Sequence, residues 1–424
     1  MRCPPGYISH LYTRRAAHRR PYKMPFGTYS QTYAKELPED PAGLLPGLHH
    51  PGHRGELHAA VVLTFHADYG IPLGQLALIS TTFFLTQLVV DVLCARFVDA
   101  IGYRRAIVAS EVTSALGLIG LAVIPDLCPN PFVGILGCVI VYAIGSGLIE
   151  VLCSPIVEAC PFDNKASVMS LLHSFYCWGA VGTILLSTLF FGVFGIRRWR
   201  LLACLWALIP MYNIYNFATC PIEHLVEDGE GMSIGQLFVT PLFWVAALLM
   251  VCSGASELSM AQWASAFAES ALGLSKTLGD LLGPCLFAII MGISRVIYGK
   301  YGGKGDLTRA MLGSGALCLG CYLMASISGS PALGLVGCVM CGFSVGIMWP
   351  GTISISSRRM PLGGTAMFAL LAMAGDLGGA FGPGLVGWAT QRAGDDLRAG
   401  MLAGSVFPAL LILGLIAMRR LAKR

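Results

Sequence analysis

The sequence predicts an all-helical protein that crosses a membrane many times, and its composition, its apolar runs and its charge placement all support this fold class. Hydrophobic residues make up 55% and charged residues only 12% of the 424 residues, and the mean hydropathy is +0.69. Soluble domains carry about 25% charged residues. With so few charges, the formal net charge of +5 indicates membrane topology signals rather than a nucleic-acid-binding surface.

Eleven segments are long and apolar enough to span a bilayer, which needs about 20 such residues. They are Leu73–Arg96, Arg105–Ile124, Phe132–Ile156, Val168–Phe194, Leu201–Phe217, Leu237–Leu258, Leu281–Tyr298, Ala310–Ile327, Leu333–Ile355, Ala366–Ala389 and Met401–Met418. The polar stretch Pro221–Gly235 separates the first five from the last six. We therefore predict an N-terminal helix bundle at 63–220, a central cytoplasmic loop at 221–235 and a C-terminal six-helix bundle at 236–424.

Lysine and arginine are concentrated in alternate connections and at the C-terminus, as in "RRLAKR". Positive charge marks the cytoplasmic side, so we expect a cytoplasmic C-terminus in a bacterial cytoplasmic membrane. The cluster Arg197, Arg198 and Arg200 lies on the other side and opposes this trend. Eleven spans would leave the N-terminus outside, whereas twelve would bring it to the cytoplasm.

The polar stretch "LPGLHHPGHRGELHAAVVL" lies where a first span would complete an even number, within an aberrant segment at 1–62. Read one base out of register, the codons of His49, His50 and His53 become isoleucine or threonine codons, and the codon of His58 becomes a methionine or threonine codon. The stretch then becomes apolar, which favours a frameshifted first helix. The alternative is a real metal-binding histidine tract, "HHPGH".

Two C-x-x-C pairs, Cys318 with Cys321 and Cys338 with Cys341, have a spacing compatible with a zinc ribbon. Both pairs lie inside apolar runs with no polar loop around them, where cysteine behaves as a small hydrophobic residue. We therefore expect no metal and no cofactor. No set of catalytic residues emerges from the sequence either, and we do not expect an enzyme.

The charged turn "ARFVDAIGYRRAIV" joins the first two visible spans. Gly102 permits a tight reversal, Asp99 is placed to cap the following helix, and Arg104 and Arg105 hold the turn on the cytoplasmic side. The turn resembles the G-x-x-x-D-x-x-G-x-R/K loop of the major facilitator superfamily, which suggests a gating loop. A generic inside loop remains the alternative.

The corresponding turn of the second half, "GISRVIYGKYGGK", keeps Arg295, Gly299 and Lys304. Equivalent motifs in two halves are typical of transporters built from internal repeats. The stretches "GSGLIEVLCSPIVEA", "LHSFYCWGAVG", "GASELSMAQWASAFAE", "IMWPG" and "AMAGDLGGAFGPGLVG" resemble the fucose/glucose-permease branch of the superfamily.

This resemblance implies two pseudo-symmetric six-helix bundles, the first helix here being missing or disrupted, and a monomer that moves a sugar-like solute by alternating access. Proton coupling is an open expectation, because relatives often carry an aspartate on the first helix and this chain offers none there. Membrane lipid is the surrounding partner, and no nucleic acid is expected. A drug-type exporter of the same fold and a non-transporting or damaged membrane protein are the alternatives.

Ionisable groups inside spans cost about 2.5–3.5 kcal/mol each on insertion scales, so each is a functional candidate. Glu150 lies within an apolar span, and the resemblance implies that it binds both a proton and the substrate. Trp349 before Pro350 indicates a helix break facing the substrate. Glu158 and Asp376 are candidates for structural roles, and glycines around Asp376 allow close helix approach.

A second group of candidates suits a sugar. Glu257 and Gln262 could bind hydroxyl groups, and the indole of Trp263 could stack on a pyranose ring. His173 and Tyr176, three residues apart, could reach the same site. The alternatives are an interfacial anchor for Trp263 and a packing role for His173.

Overall fold

The computed structural model describes residues 65, 68–71, 73–160, 162–220, 222, 225, 231–272, 281–302, 305–394 and 396–421. Throughout these ranges the regular secondary structure is helical. The first half contains α1 Leu73–Ile101, α2 Tyr103–Leu127, α3 Pro131–Ala159, α4 Lys165–Phe194, a 3-10 turn Ile196–Arg198 and α5 Trp199–Thr219. The second half contains α6 Ile234–Phe238, α7 Pro241–Leu272, a π turn Leu281–Cys285, α8 Leu286–Tyr301, α9 Leu307–Ile327, α10 Pro331–Val345, α11 Met348–Arg359, α12 Gly364–Arg392, α13 Leu397–Gly404 and α14 Val406–Leu421.

The eleven predicted spans are all present among the described residues. Ten helical segments of the described residues are long and apolar enough to cross a membrane, and the remaining predicted span, Leu73–Arg96, lies within the 29-residue helix α1. The histidine-rich stretch and the rest of the 1–62 segment lie outside the described residues. Much of the 221–235 loop does too, so that boundary stays a prediction.

The sixth predicted span is displaced in the structure. Ser233 and Gln236 form a capping box that starts the short helix α6, and Pro241 begins a new helix, α7, which continues to Leu272. The predicted end at Leu258 is wrong because no residue after it stops the helix. The segment containing Glu269, predicted to be a loop, is helical.

Local sequence signals explain where several helices begin. The side chains of Asn130, Asn164, Asp306 and Asp396 each accept a hydrogen bond from a backbone N–H in the first turn of the helix that follows. Such caps satisfy amide groups that have no partner within the helix. They fix the start of α3, α4, α9 and α13.

The two halves meet along two pairs of helices, α1 with α12 and α4 with α8, and α3 also contacts α12. We call the end that carries the α1–α2, α3–α4 and α11–α12 connections the basic face, because the sequence places most lysines and arginines there. The other end is the opposite face. Cys318 and Cys341 lie buried between α9 and α10 with sulfur atoms 3.7 Å apart.

A break between α10 and α11 leaves a backbone carbonyl without its partner inside the helix. The helix is interrupted at Gly346 and Ile347. Pro350, in the first turn of α11, has no N–H to donate to the Gly346 carbonyl four residues earlier. The predicted break near Trp349 therefore lies a few residues earlier in the chain than Trp349 itself.

Glycines bring α7 and α12 into close contact. A Cβ atom at Gly254 would lie 2.1 Å from the Gly375 carbonyl oxygen, and one at Gly378 would lie 2.0 Å from the Val251 carbonyl oxygen. Only hydrogen fits at such distances. This contact fixes the position of Asp376, which follows Gly375 on α12.

A polar network surrounds Arg200, one of the arginines that oppose the charge trend. On the opposite face, Arg200 lies 2.9 Å from both the Tyr69 hydroxyl and the Asp126 carboxylate. Trp199 donates its indole N–H to Asp68 at 2.9 Å. Because an acid neutralises Arg200, its presence on this face does not reverse the predicted orientation.

Candidate functional site

Ionisable side chains gather where the two halves meet. Asp91 on α1 and Glu150 on α3 come from the first half, and Glu257 on α7, Arg295 on α8 and Asp376 on α12 come from the second. Asp91 and Arg295 are 0% and 2% exposed, and electrostatic interactions link Glu150 with both Glu257 and Asp376. Charged groups this deeply buried are expensive unless they are paired.

Arg295 joins helices of both halves. Its guanidinium forms an ion pair with Glu257 at 3.2 Å and donates to the Gly346 carbonyl at 2.8 Å. It also donates to the His173 carbonyl at 2.9 Å and lies 3.1 Å from the Cys177 sulfur. The carbonyl freed by the α10–α11 break thus receives its hydrogen bond from Arg295. Arg295, which the repeated motif associated with the second basic turn, lies inside α8 and within the predicted span Leu281–Tyr298.

Glu150 accepts a hydrogen bond from the side-chain amide of Gln87 on α1. Gln87 is 4% exposed, whereas Glu150 is half-buried. The amide orients the carboxyl group but carries no charge to balance it. The sequence analysis missed Gln87, because an amide inside an apolar run gives a weak signal on its own.

Asp91 faces Asp376 across the boundary between the halves. Asp376 and Glu150 are the carboxyl groups that interact with Asp91 electrostatically. Among the described residues, no N–H or hydroxyl group donates to either oxygen of Asp91 or to Oδ2 of Asp376. The sequence analysis missed Asp91, although an acid in "FFLTQLVVDVLCARF" is itself the expected signal.

Three other predicted residues lie around this cluster. His173 lies with its Nε2 atom 3.3 Å from the Ser154 hydroxyl, and Tyr176 is an electrostatic neighbour of Arg295. The indole ring of Trp349 covers Gly375, because a Cβ added there would lie 2.2 Å from a ring atom. The structure therefore brings these three side chains close to the interface between the halves.

Gln262 and Trp263 are placed differently. A spacing of five residues rotates Gln262 by about 140° around α7 relative to Glu257, and its side chain is exposed. The Trp263 indole N–H donates to the Pro383 carbonyl at 3.3 Å, and its ring packs beside Gly387. Trp263 thus connects α7 to α12.

The predicted gating loop contacts the second half at the basic face. The Thr365 hydroxyl at the start of α12 donates to Asp99 at 2.6 Å, and the Tyr103 hydroxyl lies 2.5 Å from the Thr365 oxygen. The expected helix cap by Asp99 is wrong, because Gly102 occupies the N-cap position of α2 with no side-chain cap and Asp99 binds Thr365 instead. Gly102 has a φ of +88°, which confirms the tight reversal.

A second contact closes the same face. Glu158 at the end of α3 accepts a hydrogen bond from Ser357 on α11 at 2.8 Å, and Lys165 lies 4.0 Å from its carboxylate. Arg104 donates to backbone carbonyls at the end of α5, whereas Arg105 is exposed. The two halves are therefore held together at the basic face.

Comparison with known proteins agrees with this two-halved arrangement. The family model described as Major Facilitator Superfamily matches residues 57–383, more than three quarters of the chain. The chain belongs to the major facilitator superfamily. It is a multi-pass membrane protein with the transporter fold of that superfamily.

Two curated members of the superfamily are similar to this chain in sequence. Uncharacterised MFS-type transporters of Yersinia pestis (strain Pestoides F) and Yersinia pseudotuberculosis serotype O:1b (strain IP 31758) are each 23% identical over 361 residues, covering 81% of this chain and 87% of theirs. Their names give the family and no solute.

Solved superfamily structures show the same fold at low identity. The transporter FucP in the outward conformation matches with a TM-score of 0.76 and 14% identity, covering 89% of this chain and 98% of that one. The proton:xylose symporter XylE bound to 6-bromo-6-deoxy-D-glucose matches with a TM-score of 0.72 and 13% identity, covering 89% and 93%.

Proposed function

We propose that this protein is a secondary active transporter of a monosaccharide-like solute, working by alternating access in a bacterial cytoplasmic membrane and driven by protons through Glu150. The observation that carries the proposal is the polar cluster between the halves, where Glu150 with Gln87 and Glu257 with Arg295 are close enough for the two glutamates to interact electrostatically. Solute sites of superfamily transporters lie between the repeats near mid-membrane.

The chemistry of this cluster suits a sugar. A sugar hydroxyl both donates and accepts hydrogen bonds. The carboxylates of Glu150 and Glu257 accept, whereas the Gln87 amide and the Arg295 guanidinium donate. The half-buried Trp349 indole supplies an apolar surface for a pyranose ring. A few oriented polar groups beside an aromatic ring are typical of small-molecule sites.

The closed basic face agrees with an alternating-access cycle. Thr365 with Asp99, and Ser357 with Glu158, hold the halves together at that end. These hydrogen bonds must break before a solute can leave there. Positive charge assigns this face, and with it the C-terminus, to the cytoplasm, so the described conformation is closed to the cytoplasm.

Glu150 is the coupling candidate because its carboxyl group is held by a neutral amide with no cation paired to it. A proton would neutralise the carboxyl group, and its loss would leave a charge beside Glu257 and Asp376. Two sugar symporters have structures that match this fold: the fucose:proton symporter FucP and the proton:xylose symporter XylE. Their names support the proposal that proton influx drives sugar transport in this protein.

Uptake into proteoliposomes tests the proposal. Purified monomer with labelled L-fucose, D-xylose or D-glucose should concentrate one of these sugars when the outside is more acidic. Glu150→Gln should abolish uphill uptake while counterflow of the same sugar continues, because the solute still binds and the proton does not. Glu111→Gln changes a buried acid on α2, which packs within the first half, and should keep uphill uptake.

Two outcomes contradict the proposal. Normal uphill uptake by Glu150→Gln removes Glu150 from coupling. No uptake of any of these sugars, together with proton-driven export of amphipathic cations, favours the drug-exporter alternative instead.

A further inference from the structure

The buried charges between the halves do not balance. Among the described residues, Arg295 is the one cation in the buried set, and Glu257 already pairs with it. Three carboxyl groups remain, those of Asp91, Glu150 and Asp376. Glu150 accepts a hydrogen bond from the Gln87 amide. Asp91 and Asp376 are side-chain neighbours of each other.

Asp91 is 0% exposed, and no N–H or hydroxyl group of the described residues donates to either of its oxygens. The groups that face it are carboxyl groups, Asp376 from α12 and Glu150 from α3. The other buried acid nearby, Glu111 on α2, lies beside Cys153 on α3. The thiol of Cys94 on α1 is also an electrostatic neighbour of Asp91, and among the described residues no lysine, arginine or histidine interacts with Asp91.

A hydrogen bond between two carboxyl groups requires a proton. Two ionised carboxylates only accept hydrogen bonds, so the bond forms only when one of the pair is protonated. Two adjacent carboxylates in a medium of low polarity also repel each other, and such pairs hold one proton between them. The geometry therefore creates a place for one shared proton.

We propose that Asp91 and Asp376 form a second proton-binding site, in which one shared proton holds α1 of the first half against α12 of the second. Release breaks the O–H bond of one carboxyl group, water takes the proton, and two carboxylates remain. Their repulsion separates α1 from α12. The role of this site in coupling rests on the proposed proton-driven transport, whereas the binding of the shared proton does not.

The position of the pair links it to the closed basic face. Asp91 precedes Asp99 by eight residues, about 12 Å along α1, and Asp376 follows Thr365 by eleven, about 16 Å along α12. The acid pair and the hydrogen bond of Thr365 to Asp99 thus lie on the same two helices. Loss of the shared proton weakens the contact that keeps this face closed.

Infrared difference spectroscopy of the purified full-length protein, recorded between mildly acidic and mildly alkaline pH without any solute, tests the site. A C=O stretching band of a protonated carboxyl group should disappear as the pH rises. Asp91→Asn and Asp376→Asn should each remove this band, and the double variant should remove no more, because the pair shares one proton. Glu111→Gln should keep it.

Three outcomes overturn the proposal. In the first, the band persists in both single variants. In the second, the losses in the two variants add, which means that the two acids bind protons independently. In the third, the band responds to sodium in place of protons, which means a cation site. If gel filtration shows that one single variant does not fold, loss or persistence of the band in the other single variant decides the test. Because no solute is present, failure of sugar uptake leaves this result standing.

Hydrogen–deuterium exchange tests the coupling to the basic face. At one alkaline pH, peptides from the basic-face ends of α1 and α12 should exchange more slowly in Asp91→Asn than in the wild type, because the neutral amide replaces the protonated carboxyl group. Equal exchange in the two proteins overturns the link between this site and closure of the basic face.

Discussion

Breaking the ion pair of Glu257 and Arg295 should destabilise the protein strongly. Arg295→Met leaves the Glu257 side chain, only 12% exposed, without its cation. Removing one member of a buried ion pair costs about 3–5 kcal/mol, because the remaining charge is uncompensated. The Gly346 carbonyl also loses its donor, which adds about 1–3 kcal/mol. We expect the free energy of unfolding to fall by about 5 kcal/mol in total.

A second substitution separates the two contributions. The double variant Arg295→Met/Glu257→Met removes the stranded carboxylate and should recover about 2–3 kcal/mol relative to Arg295→Met alone, because replacing both charges by apolar groups is far less costly than removing one. The remaining deficit belongs to the Gly346 and His173 carbonyls, which lose the guanidinium as donor. Unfolding of the wild type, Arg295→Met, Glu257→Met and the double variant by SDS in mixed micelles gives the four free energies of a double-mutant cycle.

The control and the refuting result are both simple. Arg105→Met removes an exposed arginine and should change stability by no more than about 0.5 kcal/mol. If the double variant is no more stable than Arg295→Met, Glu257 is not stranded by the loss of the guanidinium. The ion pair would then contribute nothing beyond the hydrogen bonds of Arg295, and our account of the interface would be wrong.

Three further predictions follow from other contacts. Thr365→Val removes the hydroxyl that binds Asp99 and should increase hydrogen exchange at the basic face, and unchanged exchange would show that this contact does not hold the face closed. Gly378→Ala forces a Cβ into a carbonyl oxygen of α7 and should lower the thermal midpoint sharply, whereas Gly137→Ala, with open space around it, should not. Restoring the proposed reading frame across 44–62 should raise the yield of folded protein in gel filtration, and an equal yield would count against the frameshift.

The sequence alone determined the helices, because the signals for a membrane helix are local. A run of about 20 apolar residues must satisfy its backbone within itself to enter a bilayer. The side chains of Asn130 and Asp306 cap the helices that follow them. Pro350 weakens the helix before it because it lacks an N–H. These signals gave the eleven spans and the break between α10 and α11.

Only the tertiary structure decided the partners of the buried charges. Arg295 lies close to the basic turn in sequence, and the motif repeated in the second half associated it with that turn. In the fold, Glu257 and the Gly346 carbonyl surround its guanidinium. These two partners come from other helices, so nothing near Arg295 in the chain indicated them.

Asp91 shows the same division most clearly. Its presence in an apolar run was visible in the sequence, since a single acid inside a span is rare and costly. The role of Asp91 was not visible in the sequence, because the free-energy cost of burying its carboxyl group depends on the side chains that face it. Packing of α1 against α12 places Asp376 opposite Asp91, and the glycine contact between α7 and α12 fixes where Asp376 lies. Hydrophobic patterning acts within one helix, whereas a shared proton requires carboxyl groups on two helices. The distance between those helices is set only when they pack.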